Sequence, residues 1–142
     1  MTTTSRIRDG IADAMATHSP AFVALVDAAR RQIRECSIET LKARIDRGEV
    51  PTPGVVLVDV REESEWAAGR LPGAIHIGKG VIERDIEAVV PDTQTEVLLY
   101  CGGGYRSALA ALNLQAMGYK HVVSVDGGVR AWRAAGYPFT SG

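Results

Sequence analysis

Val97-Leu98-Leu99-Tyr100-Cys101-Gly102-Gly103-Gly104-Tyr105-Arg106 decides how the rest of the chain is read. Its first four residues form an unbroken apolar run, too short for a helix and suited to a strand buried on both faces. Cys101 closes that run and three glycines follow. Glycine adopts φ > 0 without steric cost, so the backbone can curl there and turn successive N–H groups toward one point, the sulfur. From Ser107 to Met117 the chain is dominated by strong helix formers, and it stops at Gly118. The N-terminus of that helix faces the loop, where its dipole favours an anion. Amide ring and helix together are expected to hold Cys101 as a thiolate without a histidine base, with Arg106 adding a permanent positive charge.

Outward from this loop, short apolar runs alternate with helical stretches, the pattern of an α/β domain with a parallel sheet covered on both faces. Strands are expected at 36–38, 55–60, 74–77, 97–100 and 122–125. Helices are expected at 38–47, 62–68, 81–89, 105–117 and 129–135. Pro51, Pro53 and Gly54 mark a loop before the second strand, and Pro91-Asp92 ends the third helix. The first 35 residues read differently. Ser19-Pro20 is an N-cap and N1 pair, and Phe22, Leu25, Val26, Ala29 and Ile33 fall on one helical face. A weaker helix is expected from Ile7 through Ile11 to Met15. The apolar stripe behind Ser19 has three possible partners: its own domain, the loop at Cys101, or a second copy. The chain therefore divides into an N-terminal helical extension, 1–35, and one domain, 36–142.

Three ordered blocks resemble the rhodanese family of sulfurtransferases. The first is Val58-Asp59-Val60-Arg61 with Glu65-Trp66-Ala67-Ala68-Gly69-Arg70-Leu71-Pro72-Gly73-Ala74-Ile75-His76-Ile77. The second is the loop from Cys101 to Arg106, and the third is Asp126-Gly127-Gly128-Val129-Arg130-Ala131-Trp132. The resemblance runs from about Ser37 to about Pro138 and departs at Arg70, where the family usually has histidine. It implies a five-stranded parallel sheet with helices on both sides, with the loop after the fourth strand at the carboxyl edge where such sheets take ligands. It further implies that Cys101 is the nucleophile and that Gly102, Gly103, Gly104, Tyr105 and Arg106 bind substrate. Asp59, Arg61 and Ser107 are expected to support the loop, with Glu65 joining the first two through hydrogen bonds and ion pairs. Trp66 and Trp132 are expected to pack in the core.

Composition bounds the alternatives. The chain has 142 residues, 16 basic and 17 acidic, for a net charge of −1. A single core suffices at this length, and near-neutrality argues against a nucleic-acid partner held by phosphate neutralisation. The start lacks an apolar signal core and no stretch is long enough to span a bilayer, so a cytoplasmic location is expected. Two cysteines, Cys36 and Cys101, are expected to be reduced. Cys36, with Arg30, Arg31 and Arg34 nearby, is either an isolated thiol or a resolving partner for Cys101. No metal is expected, because His18, His76 and His121 make no ligand spacing with them. Residues 73–80 mimic a phosphate-binding loop but end on Gly80, which carries no hydroxyl for magnesium. His76 reads as a hydrogen-bonded core residue or a base for Cys101, Asp126 as a helix cap or a contact at the pocket rim, and Lys79 and Arg84 as solvated charges or a border to the pocket.

The chemistry implied by the resemblance needs no cofactor. Cys101 takes a sulfane sulfur from a small anionic donor such as thiosulfate, or from a persulfide, and passes it to cyanide, a thiol or a protein acceptor. Gly102 stands where some thiosulfate-using relatives carry a basic residue, which leaves the donor open. The rival readings are a non-catalytic interaction module, a sulfur relay, and a cysteine phosphatase or arsenate reductase. The last class places five residues between cysteine and arginine, whereas this loop has four. The chain is expected to be a monomer or a homodimer.

Overall fold

The structure, a computed structural model, describes residues 18–141. Ser19 opens the first helix, α1 (Pro20–Arg30), by accepting the Phe22 amide on its hydroxyl at 3.4 Å, with proline in the first turn. The strands are β1 (Arg34–Cys36), β2 (Val55–Asp59), β3 (Ile75–His76), β4 (Glu96–Tyr100) and β5 (His121–Val125). Helices α2 (Ile38–Asp46), α3 (Glu63–Ala68), α4 (Ile82–Val89), α5 (Tyr105–Ala116) and α6 (Gly128–Ala134) connect or follow them. All pairings are parallel and the order is β1-β5-β4-β2-β3. The expected five-stranded sheet is present.

Alternation along the central strand sorts the core into two layers, because successive side chains of a strand point to opposite faces. Val97, Leu99 and Cys101 face a cluster built with Ile82 and Ile86 of α4 and Ala110, Ala111 and Leu114 of α5. Leu98 and Tyr100 face the other way, against Ile38 and Leu41 of α2 and Val129 and Trp132 of α6. From β2 the chain steps out to the edge strand β3, crosses back over β2 to β4, and continues the same way to β5, so the connections leaving the neighbours β2 and β4 run in opposite directions. That reversal opens a crevice at the carboxyl end of β4, where the loop at Cys101 lies.

Several boundaries move by a residue or two. The edge strand begins at Arg34, inside the stretch assigned to the extension, and Ser37 is not in a strand: its hydroxyl accepts the Thr40 amide and caps α2. Of the proposed stripe on α1, Val26 and Ala29 are buried against the domain, but Leu25 is 57% exposed and Ile33 falls beyond the helix. The expected helix at Ile7–Met15 lies outside the described residues.

Candidate active site

Cys101 is 1% exposed and forms the floor of a cleft of about 360 Å³ lined by Gly102, Gly103, Tyr105, Arg106, Arg130, His18 and Phe22. Two amides donate to its sulfur, Gly104 N at 3.1 Å and Ser107 N at 3.4 Å. The left-handed backbone at Gly104 (φ +94) makes the first contact possible, a conformation glycine adopts freely. The second comes from the first turn of α5, where unpaired N–H groups and the helix dipole favour negative charge. The Ser107 hydroxyl lies 3.5 Å from the sulfur and 2.8 Å from the Ser124 hydroxyl, and both serines are fully buried. With an anionic sulfur, Ser124 donates to Ser107 and Ser107 to Cys101. Ser107 is therefore a direct partner of the sulfur, not only the loop support expected of it. Ser124 is a site residue that the sequence marks only by a lone hydroxyl inside Val122-Val123-Ser124-Val125.

The loop is held from two sides. Gly104 accepts from the Arg30 guanidinium of α1 at 3.5 Å, and Arg30 also pairs with Glu35 and Asp126. Asp126 thus does not cap α6, as expected from sequence: its carboxylate is drawn to Arg30, and Gly127 occupies the cap position. On the other side, the start of α6 donates to the loop carbonyls, Val129 N to Cys101 O and Arg130 N to Gly102 O, both at 2.9 Å. Gly128 (φ +51) permits this approach, because a Cβ there would overlap the Cys101 carbonyl oxygen.

Arg106 is engaged by Glu65 through two contacts, 2.7 and 3.1 Å. The guanidinium holds the Glu65 carboxyl below the usual carboxylate range, and Glu65 in turn raises Arg106. Asp59 and Arg61 form a buried pair away from the cleft, with Arg61 Nη2 to Asp59 Oδ2 at 2.7 Å and a further bond to the Gly69 carbonyl. The Tyr100 hydroxyl accepts the Leu71 amide at 3.1 Å, so the pair and Tyr100 together fix the segment 69–71. Arg70 lies over the Trp66 ring at 4.5 Å and bonds Thr140 through its backbone. His76 Nε2 contacts the Arg61 carbonyl at 2.8 Å and stacks on Trp66, which removes it as a base for Cys101. Lys79 and Arg84 are not part of the cleft, and Arg84 pairs with Asp85 at the surface.

Cys36 cannot serve as a resolving thiol in this arrangement. It packs on the α2/α6 face of the sheet while Cys101 belongs to the α4/α5 face. Both are free, and burial pushes the Cys36 thiol up to about 11. Among the described residues there is no cluster of metal-ligating side chains and no helix long and apolar enough to cross a membrane.

A cysteine on the floor of a cleft at the carboxyl end of a central parallel strand, facing a helix N-terminus, defines a thiol-based α/β domain. Residues 37–135 match the Rhodanese-like domain family, and the chain belongs to it. It is 31% identical over 109 residues to a sulfurtransferase of Allochromatium vinosum, 77% of this chain and 96% of that one. To the thiosulfate sulfurtransferase GlpE of Pseudomonas putida strain GB-1 it is 40% identical over 85 residues, 60% and 74% of the two chains. A solved structure from Rhodopseudomonas palustris, a protein of unknown function described as a possible tyrosine phosphatase, superposes with a TM-score of 0.76. That pair shares 32% identity and covers 87% of this chain and 97% of the other. The chain spans about half the length of a Bacillus subtilis relative, matching 51% of it at 32% identity.

Proposed function

We propose that this protein is a sulfurtransferase of the rhodanese type, in which Cys101 carries a sulfane sulfur as a persulfide between a donor and a thiophilic acceptor. The observation that carries the reading is the convergence of Gly104 N–H, Ser107 N–H and the Ser107 hydroxyl on one buried sulfur at the floor of an open cleft. Donors fixed in advance around a charge cost no reorganisation when that charge reacts. The sulfurtransferases among the relatives support the same chemistry.

With thiosulfate as donor, the Cys101 thiolate attacks the outer sulfur, a new S–S bond forms, and the S–S bond to the sulfonate breaks with its electron pair leaving on sulfite. Amides of the loop from Gly102 to Arg106 that do not bond the Cys101 sulfur then surround the terminal sulfur of the persulfide. Cyanide or a thiol attacks that terminal sulfur, and the Cys101 thiolate is the leaving group. A persulfide of a small thiol or of a partner protein enters by the same route. No cofactor takes part. The two unpaired cysteines suit a reducing compartment, and we place the reaction in the cytoplasm.

A phosphatase reading draws on the description of the Rhodopseudomonas palustris neighbour. Two features weigh against it: four residues separate Cys101 from Arg106, and the Arg106 guanidinium is committed to Glu65. The deciding experiment follows thiocyanate formation from thiosulfate and cyanide, with p-nitrophenyl phosphate hydrolysis in parallel. Double-displacement kinetics that vanish in Cys101→Ser are expected. Phosphate release without thiocyanate would refute the reading.

A further inference from the structure

The cleft is larger and more differentiated than a five-atom inorganic anion requires. Its volume of about 360 Å³ lies in the range of sites for small organic molecules. One wall is aromatic: Tyr105 stacks on Phe22 at 5.8 Å between centroids and meets His18 at 4.1 Å. Phe22 belongs to α1 and His18 lies just before its Ser19 cap, so both lie upstream of the residues matching the family. Arg130 lines the same cleft as Cys101, and its guanidinium would lie 3.7 Å from a Cβ at Gly103.

Charge is distributed unevenly among the cations around this cleft. Arg106 is neutralised by Glu65, and Arg30 by Glu35 and Asp126. Among the described residues no carboxylate pairs with Arg130, and its side chain is exposed. An exposed guanidinium in the cleft of Cys101, with no acid partner among the described residues, is suited to the acid group of an incoming molecule.

We propose that Arg130, with the aromatic wall that α1 brings to the cleft, recognises the acid group of an organic persulfide donor. The assignment rests on the sulfur-transfer reading and adds the donor's class. The donor's body lies against Phe22 and Tyr105, its carboxylate meets Arg130, and its outer sulfur reaches Cys101. Cys101 thiolate attacks that outer sulfur of R–S–SH, one S–S bond forms and one breaks, the electron pair leaves on R–S⁻, and the proton stays on the transferred sulfur. Neither oxidant nor reductant is consumed.

The test uses the full chain at pH about 8 and two alkylating probes of similar size, anionic iodoacetate and neutral iodoacetamide, with modification located at Cys101 by peptide mass. One exposed charge pair at about 4 Å is worth roughly 1 kcal/mol or more in water, so the iodoacetate to iodoacetamide rate ratio should fall about five- to tenfold in Arg130→Met. Arg130→Lys should restore it. In parallel, wild type should prefer the persulfide of 3-mercaptopropionate over that of 2-mercaptoethanol in kcat/KM, and Arg130→Met should lose the preference. Phe22→Ala should raise KM for both organic donors about two- to tenfold without doing so for thiosulfate. A rate ratio that stays within twofold of wild type in Arg130→Met, or a wild type indifferent to the donor's acid group, overturns the proposal. If the ratio depends on Arg130 but no donor yields sulfur, acid recognition stands and the sulfurtransferase reading fails instead.

Discussion

Replacing Gly128 with alanine tests how the reactive loop is held. Gly128 sits at φ +51, and a Cβ there would overlap the Cys101 carbonyl oxygen, so either α6 or the loop must retreat. The left-handed backbone alone costs a non-glycine residue about 1–2 kcal/mol. Retreat also breaks the bonds from Val129 N to Cys101 O and from Arg130 N to Gly102 O, each worth about 0.5–1.5 kcal/mol. The expected loss is about 2–5 kcal/mol, or roughly 8–20 °C of melting temperature for a chain of this size. Gly136→Ala is the control: φ is +75 there, but nothing lies within 4 Å of the added Cβ. That variant carries only the backbone cost, about 1–2 kcal/mol, and stands apart from Cys101. Thermal melts and the rate of Cys101 alkylation by iodoacetamide read the two effects. In Gly128→Ala the displaced Gly104 amide should slow alkylation about tenfold, the worth of one hydrogen bond to a charged group. If Gly128→Ala melts with Gly136→Ala and alkylates at the wild-type rate, the clamp does not set the loop.

Three further outcomes follow from the same contacts. Ser107→Ala should lower stability by about 1–3 kcal/mol by stranding the buried Ser124 hydroxyl, and Ser107→Ala/Ser124→Ala should recover stability but not Cys101 reactivity. Denaturant melts beside alkylation rates separate the two. Arg61→Met, which leaves Asp59 buried and unpaired, should cost about 3–5 kcal/mol, while Asp59→Leu/Arg61→Met should regain much of that, as a double-mutant cycle would show. Cys36 should hold about a hundredfold less thiolate near pH 8 than an unperturbed thiol titrating at 9.0, and its alkylation should rise tenfold per pH unit until about 11. Because the folded state keeps this proton longer than the unfolded chain, Cys36 makes the protein less stable as pH rises from about 9 through 11. Cys36→Ala should flatten that decline in pH-dependent melts.

The sheet and the site were unequally legible in the sequence. The run 97–100 and its relatives announced buried parallel strands through composition alone, and the glycines after Cys101 announced a curled loop. Strand ends were less visible, because Ser37 looks like strand until its hydroxyl is seen capping α2. Asp126 shows the same limit: its position before two glycines suits a cap, but the guanidinium of Arg30, far upstream in sequence, draws the carboxylate away. Long-range contacts of this kind leave no local pattern. Arg130 and Ser124 belong to the site only because β5 and α6 return beside the loop, which spacing cannot reveal. The α1 stripe divides along the helix: α1 packs on α5 with Val26 and Ala29 buried, whereas Leu25 faces solvent.

The central claim is that Cys101 carries sulfur covalently, and intact-protein mass after incubation with thiosulfate or a small-thiol persulfide tests it most directly. A gain of one sulfur atom, absent in Cys101→Ser and removed by cyanide, is the result this structure predicts. A mass unchanged by either donor, or a sulfur that persists in Cys101→Ser, would contradict it.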